Sequence, residues 1–153
     1  MWSAGVHGIA VEHRGSLVLH VDPDPLTFNA TRHEVANLPC RNIIVDGTVG
    51  ALERSHGRVI NTAYVLHPNS LGMIEDSAHI LRPGGSIIVT IDSAGAFHRS
   101  VENVGESLNR GGISRFNIID DVDFMEAFIP GFRDTTRMRV WNFDYGVWGI
   151  RGE

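Results

Sequence analysis

The sequence predicts an α/β domain built on a mainly parallel sheet. Three observations predict it. Short apolar, β-branched runs alternate with stretches of helical spacing. No repeat, low-complexity tract or linker interrupts that alternation. Three of the early runs end in an aspartate: Asp22, Asp46 and Asp92. In a parallel sheet those carboxyl ends share one edge, the edge where open α/β folds bind ligands. Aspartate also starts turns after strands, which is the plainer account of the same residues.

The elements follow in order. Ser16–Asp22 is a strand, halted by Pro23 and Pro25. Leu26–Leu38 has helical spacing and ends at Pro39. Asn42–Asp46 is a second strand, stopped by Gly47. Thr48–Ser55 is a short helix or turn, and Arg58–Tyr64 a third strand. Asn69 or Ser70 caps a helix running to Leu81, with Leu71, Ile74, Ala78 and Leu81 as its apolar stripe. Pro83-Gly84-Gly85 terminates it, and Ser86–Asp92 is a fourth strand. Ala96–Asn109 is a helix closed by Gly111-Gly112. Ile113–Ile119 is a strand and Asp121–Phe128 a short helix with Asp at its start. Arg137–Ile150 is the last strand, with Gly146 as a bulge position. Strand alternation puts Trp141, Phe143 and Tyr145 on one face and Trp148 on the other unless that bulge re-phases it.

Composition bounds the function. The chain has 153 residues, 42% hydrophobic and 20% charged, as expected of one globular domain. No run approaches ~18 apolar residues, so no membrane span is expected. The start lacks a basic segment followed by an apolar core, so no secretory leader is read and a cytoplasmic location is expected. The net charge of -5 argues against nucleic acid as a partner, although a local arginine patch remains compatible with it. Cys40 is the lone cysteine, which precludes an intrachain disulfide and reads as a small buried apolar residue rather than a nucleophile. All 13 basic residues are arginine. Codon bias in a GC-rich genome accounts for that, as does selection against lysine modification in a protein delivered into another cell. Either way, no amine is available for Schiff-base chemistry. The 8 histidines include no pair at metal-binding spacing, and no metal is expected. His7 and His13 read as solvated. Asp120, Asp121 and Asp123 read as helix capping rather than a cation site.

The passage His79–Val89, HILRPGGSIIV, resembles the segment before the fifth strand of the class I methyltransferases that use S-adenosylmethionine. Arg58–Pro68 resembles their fourth strand and the apolar-His segment after it, and Asn42–Leu52 their third strand. Asp22 stands where the acid of the second strand belongs. The resemblance covers order and spacing over residues 3–92. It implies a Rossmann-like methyltransferase-type sheet with a C-terminal antiparallel strand, one domain over residues 1–153, and S-adenosylmethionine as cofactor. Asp22 would accept from the ribose hydroxyls with charge-assisted strength. Asp46 would accept from the adenine amine, and Gly47 would let backbone approach the ring. Counting back 17 residues from Asp22 reaches Gly5, which matches the last glycine of the family's Gly-rich loop, followed by a helix over Val6–Arg14. Asn61 and Tyr64 resemble a degenerate acceptor-binding element, and His67 would lie at the rim of the acceptor pocket, where a general base acts.

The sequence departs from the family at its start. The earlier loop glycines fall at Ser3 and Met1, and the first strand falls before Met1. The fold is therefore expected to be truncated or rearranged at its N-terminus. Three outcomes follow: the second strand pairs with the fourth, a partner or twin subunit supplies a strand, or the chain is a piece of a longer protein. Function divides accordingly. One expectation is methyl transfer to a small-molecule acceptor, in a homo-oligomer or with a partner chain completing the sheet. The other is an inactive methyltransferase-fold domain acting as a partner-binding or delivered, toxin-like effector module.

Overall fold

A computed structural model describes residues 17–22, 41–46, 49–66, 68, 70–93, 99–127, 129 and 143–152. It gives β1 (Leu17–Asp22), β2 (Arg41–Asp46), α1 (Val49–His56), β3 (Ile60–Leu66), α2 (Leu71–His79) and β4 (Leu81–Asp92). Then come α3 (Val101–Arg110), β5 (Arg115–Ile119), α4 (Val122–Met125) and β6 (Phe143–Ile150). The chain divides into two compact units, Met1–Thr48 with Asp123–Val140, and Val49–Val122 with Trp141–Glu153. The fold is mixed α/β and of the Rossmann-like type expected, and its last strand is antiparallel.

In the first unit β1 and β2 pair in parallel, from Leu17 opposite Arg41 to Asp22 opposite Asp46. The expected helix Leu26–Leu38 lies outside the described residues, as do the one over Val6–Arg14 and Cys40.

In the second unit the strand order is β3-β4-β6-β5. β3 and β4 run parallel, and β6 is antiparallel to both β4 and β5. Among the described residues β1 and β3 stand in different sheets. The core lies where α2 and α3 cover one face of this sheet. Ile74 and Ala78 of α2 and Val104 and Leu108 of α3 meet Ile87, Val89 and Ile91 of β4 and Val147 of β6. Fully burying Ile74 or Leu108 is worth roughly 1.5–3 kcal/mol. On the other face of β4, Ile88, Thr90 and Asp92 are also buried. Burial on both faces is the mark of a central strand and explains the unbroken apolar run that made it legible.

Several boundaries differ from the sequence reading. α2 ends at His79, and β4 already begins at Leu81, the register partner of Ile60. Residues 82–85 then bulge out before Ser86 pairs with Thr62. Pro83-Gly84-Gly85 therefore interrupts a strand rather than ending a helix. Gly84 has φ +79, and a Cβ on Gly85 would lie 3.0 Å from the carbonyl of Asn61, so both need glycine. α3 starts at Val101, not at Ala96. Ser100 is its N-cap, and its Oγ accepts from Asn103 N–H at 3.2 Å. Ser70 caps α2 in the same way, accepting from Met73 N–H at 3.4 Å.

Gly146 is not a bulge, because it pairs regularly with Thr90 and Ile119. The irregularity sits one turn of the pleat earlier. Ile91 opposes Tyr145 while Asp92 opposes Phe143, so Asp144 is the extra residue. Phe143 and Tyr145 consequently lie on opposite faces, and Phe143 joins Trp148. Trp141 is outside the described residues.

Candidate functional site

Proline ends β1, since Pro23 has no N–H to continue the ladder, and β2 ends before Gly47. Both strands thereby finish on an aspartate. The parallel register makes Asp22 and Asp46 partners across the ladder, on strands about 4.8 Å apart. The two acids share one edge of one sheet. Gly5 and Gly47 lie outside the described residues.

The second unit has its own carboxyl edge. β3 runs on to Leu66, the partner of Thr90, because Val65 and Leu66 continue its apolar run. The segment Asn61–Tyr64 is therefore not the end of the strand, and this corrects its placement. Asn61 is exposed, one residue inside the amino end and about 16 Å along the strand from Leu66. Tyr64 is half-buried beside Ile88 in mid-strand. His67 lies outside the described residues.

β4 reaches two residues beyond the partner of Leu66 and ends at Asp92, which is only 6% exposed. The sequence singled out Asp92 as an acidic strand end, and nothing in it signalled the burial or the bulge opposite. On the opposite face, the Tyr145 hydroxyl donates to the carbonyl of Arg99 at 2.6 Å, which ties the start of α3 to β6. Burial, then the charges of Asp144 and Glu102, push the Tyr145 hydroxyl up to about 12, so it remains a donor at neutral pH. Sequence spacing offers no signal for a bond between residues 46 apart.

Among the described residues no group of three or more His, Cys, Asp and Glu is placed to hold a metal ion. No helix among them is long and apolar enough to cross a membrane.

No protein-family model matches the chain, and no curated protein is similar to it in sequence. Solved structures are similar in fold. An antibiotic-related methyltransferase aligns with 99% of this chain and 83% of its own, at TM-score 0.61 and 9% identity. The O-methyltransferase of Thermotoga maritima that depends on S-adenosylmethionine aligns with 90% of this chain and 51% of its own, at TM-score 0.61 and 10% identity. The fold is that of the S-adenosylmethionine-dependent methyltransferases. A third case is the 16S rRNA (adenine(1408)-N(1))-methyltransferase of Catenulisporales acidiphilia, with 97% and 81% covered, TM-score 0.59 and 13% identity. The chain spans about half the length of some of the structures that it matches, 53% and 51% in two of them. At such identities the methyltransferase likeness is one of architecture.

Proposed function

We propose that the chain binds S-adenosylmethionine at the carboxyl ends of β1 and β2 and transfers its methyl group to a small-molecule acceptor. One observation carries the reading: Asp22 and Asp46 are register partners at the last residues of two adjacent parallel strands. Two acids so placed fit a nucleoside. One accepts from the vicinal hydroxyls of a ribose, the other from an exocyclic amine. Gly5 and Gly47 would allow close approach of the backbone. The methyltransferase architecture supports the same reading.

When bound, the cofactor supplies a methyl group already activated on a sulfonium. The protein's task is then to bind and orient, which is where its rate enhancement arises. The resemblance implies Tyr64 and His67 as the residues that serve the acceptor, with His67 as proton acceptor. Asn61, near the amino end of β3, has no part in this reading. The acidic balance of -5 favours a small acceptor over nucleic acid.

Titration with S-adenosylmethionine tests the proposal. Ligand at about a hundred times its dissociation constant adds about 2.7 kcal/mol of stability, read as a higher melting temperature. Asp22→Ala and Asp46→Ala should each reduce that shift, and Glu106→Gln, at an exposed position of α3, should leave it unchanged. A melting temperature unmoved by millimolar ligand would sink the enzymatic reading and leave a non-catalytic, partner-binding domain.

A further inference from the structure

The four-stranded unit carries opposite charge at its two ends. At one end β3, β4 and β5 begin and β6 and α3 finish. Arg58 stands two residues before Ile60, and Arg82 follows Leu81, the partner of Ile60. Arg115 is the partner of Ile150, which precedes Arg151. Arg58, Arg82 and Arg115 are exposed. The charge of Arg58 is felt at the buried Arg151, where it joins burial in lowering the guanidinium's hold on its proton. Glu75 and Glu106 are nearby acids, and both face Arg110, at 2.9 and 3.8 Å. Val59 and Ile150, 48% and 44% exposed, lie among these arginines.

At the other end β4 and β5 finish and β6 and α3 begin. Glu102, Asp120, Asp121 and Asp144 are exposed there, with Arg99 half-buried beside them. Asp144 and Glu102 are close enough to act together on Tyr145. Val101 and Ile118, 38% and 42% exposed, accompany these acids. Ser86 to Asp92 of β4 spans about 20 Å. That is roughly two Debye lengths at physiological salt, so the two ends do not neutralise each other within one chain.

We propose that copies of this chain associate head to tail, the arginine end of one seated on the acidic end of the next. Each end supplies what the other lacks. Guanidinium groups meet carboxylates, and Val59 and Ile150 meet Val101 and Ile118. A nucleic-acid backbone would engage the arginine end alone and leave the acidic, apolar end without a role. The two surfaces differ, so the contact is heterologous and extends the assembly instead of closing it about a two-fold axis. Surface charge pairs are screened, so the association weakens with salt.

Sedimentation of the intact chain over a range of concentration and salt tests this. The mean mass should at least double at low salt and high concentration and return to that of a monomer at high salt. The triple variant Arg58→Glu, Arg82→Glu, Arg115→Glu should remain monomeric, as should the double variant Glu102→Arg, Asp120→Arg. Mixed in equal amounts, they should regain association, since the intact ends still match and the reversed ends are themselves of opposite charge. Melting curves establish that both variants fold. A wild-type chain that stays monomeric at low salt overturns the proposal, as does self-association that survives both variants. Binding of a fluorescent single-stranded oligonucleotide without any gain in mass, abolished in the triple variant, overturns it in favour of a polyanion.

Discussion

The two ends of the four-stranded sheet are held together in different ways. At the amino end of β4, Arg151 is only 7% exposed and donates from Nη1 to the carbonyls of Ala78 and Gly111, at 2.9 and 2.7 Å. Its own backbone bonds to Gly84 and Gly85, at 3.0 and 2.8 Å. One residue thus joins α2, the turn after α3, β4 and β6. His79 adds to the same end by donating from Nε2 to the carbonyl of Arg110 at 2.9 Å. At the carboxyl end the Tyr145 hydroxyl holds Arg99, and β6 carries the extra Asp144. A buried cation ties the first end and a neutral hydroxyl the second. The lesson is a division of labour: the many ties sit away from the strand ends where ligands bind in this fold class.

The contrast breaks first at Arg151. Arg151→Met leaves two buried carbonyls without a charged donor, and each such bond is worth about 1.5–3 kcal/mol. Denaturant midpoints should report a loss of about 3–5 kcal/mol, and a loss below about 1 kcal/mol would erase the difference between the ends. Next comes Gly111→Ala, since a Cβ there runs into Ala78 Cβ and lies 3.0 Å from the carbonyl of Glu75. Overpacking of this kind costs about 1–3 kcal/mol. Ala78→Gly in the same chain should recover part of that loss, read in the same unfolding curves.

Tyr145→Phe should cost about 1 kcal/mol, the net worth of one hydrogen bond. It also has a pH signature. The folded hydroxyl keeps its proton up to about 12, whereas the ordinary value is 10.0. The contribution of Tyr145 is full below pH 10 and is lost as the pH rises from 10 through 12. Stability measured across that window should decline in the wild type and decline less in Tyr145→Phe. The smallest effect belongs to Arg110. Its side chain is 52% exposed, and its pairs with Glu75 and Glu106 are open to solvent. Arg110→Ala should cost at most about 1 kcal/mol, and high salt should remove most of the electrostatic part.

Local chemistry wrote much of this fold into the sequence. The apolar run of β4 was legible because a central strand is apolar on both faces. The α2 cap was legible because Ser70 precedes an amphipathic stripe. What escaped the reading was set by distant partners. Leu81 becomes strand because Ile60 pairs with it, against the turn signal of Pro83-Gly84-Gly85. α3 begins at Val101 because Ser100 is extended, with φ -70 and ψ 153, and caps it, although the helical pattern starts sooner. The candidate site divides in the same way. The aspartates at strand ends were visible as residues, and their pairing is a matter of register. Asn61 was misplaced because a degenerate motif was read as a strand end.

The surplus residue at Asp144 has a reach beyond its own position. It inverts the facing of the chain that enters β6, so that Phe143 arrives on the side opposite to Tyr145. Removing Asp144 would restore strict alternation and return Phe143 to the face of Tyr145, while leaving every side chain from Tyr145 onward undisturbed.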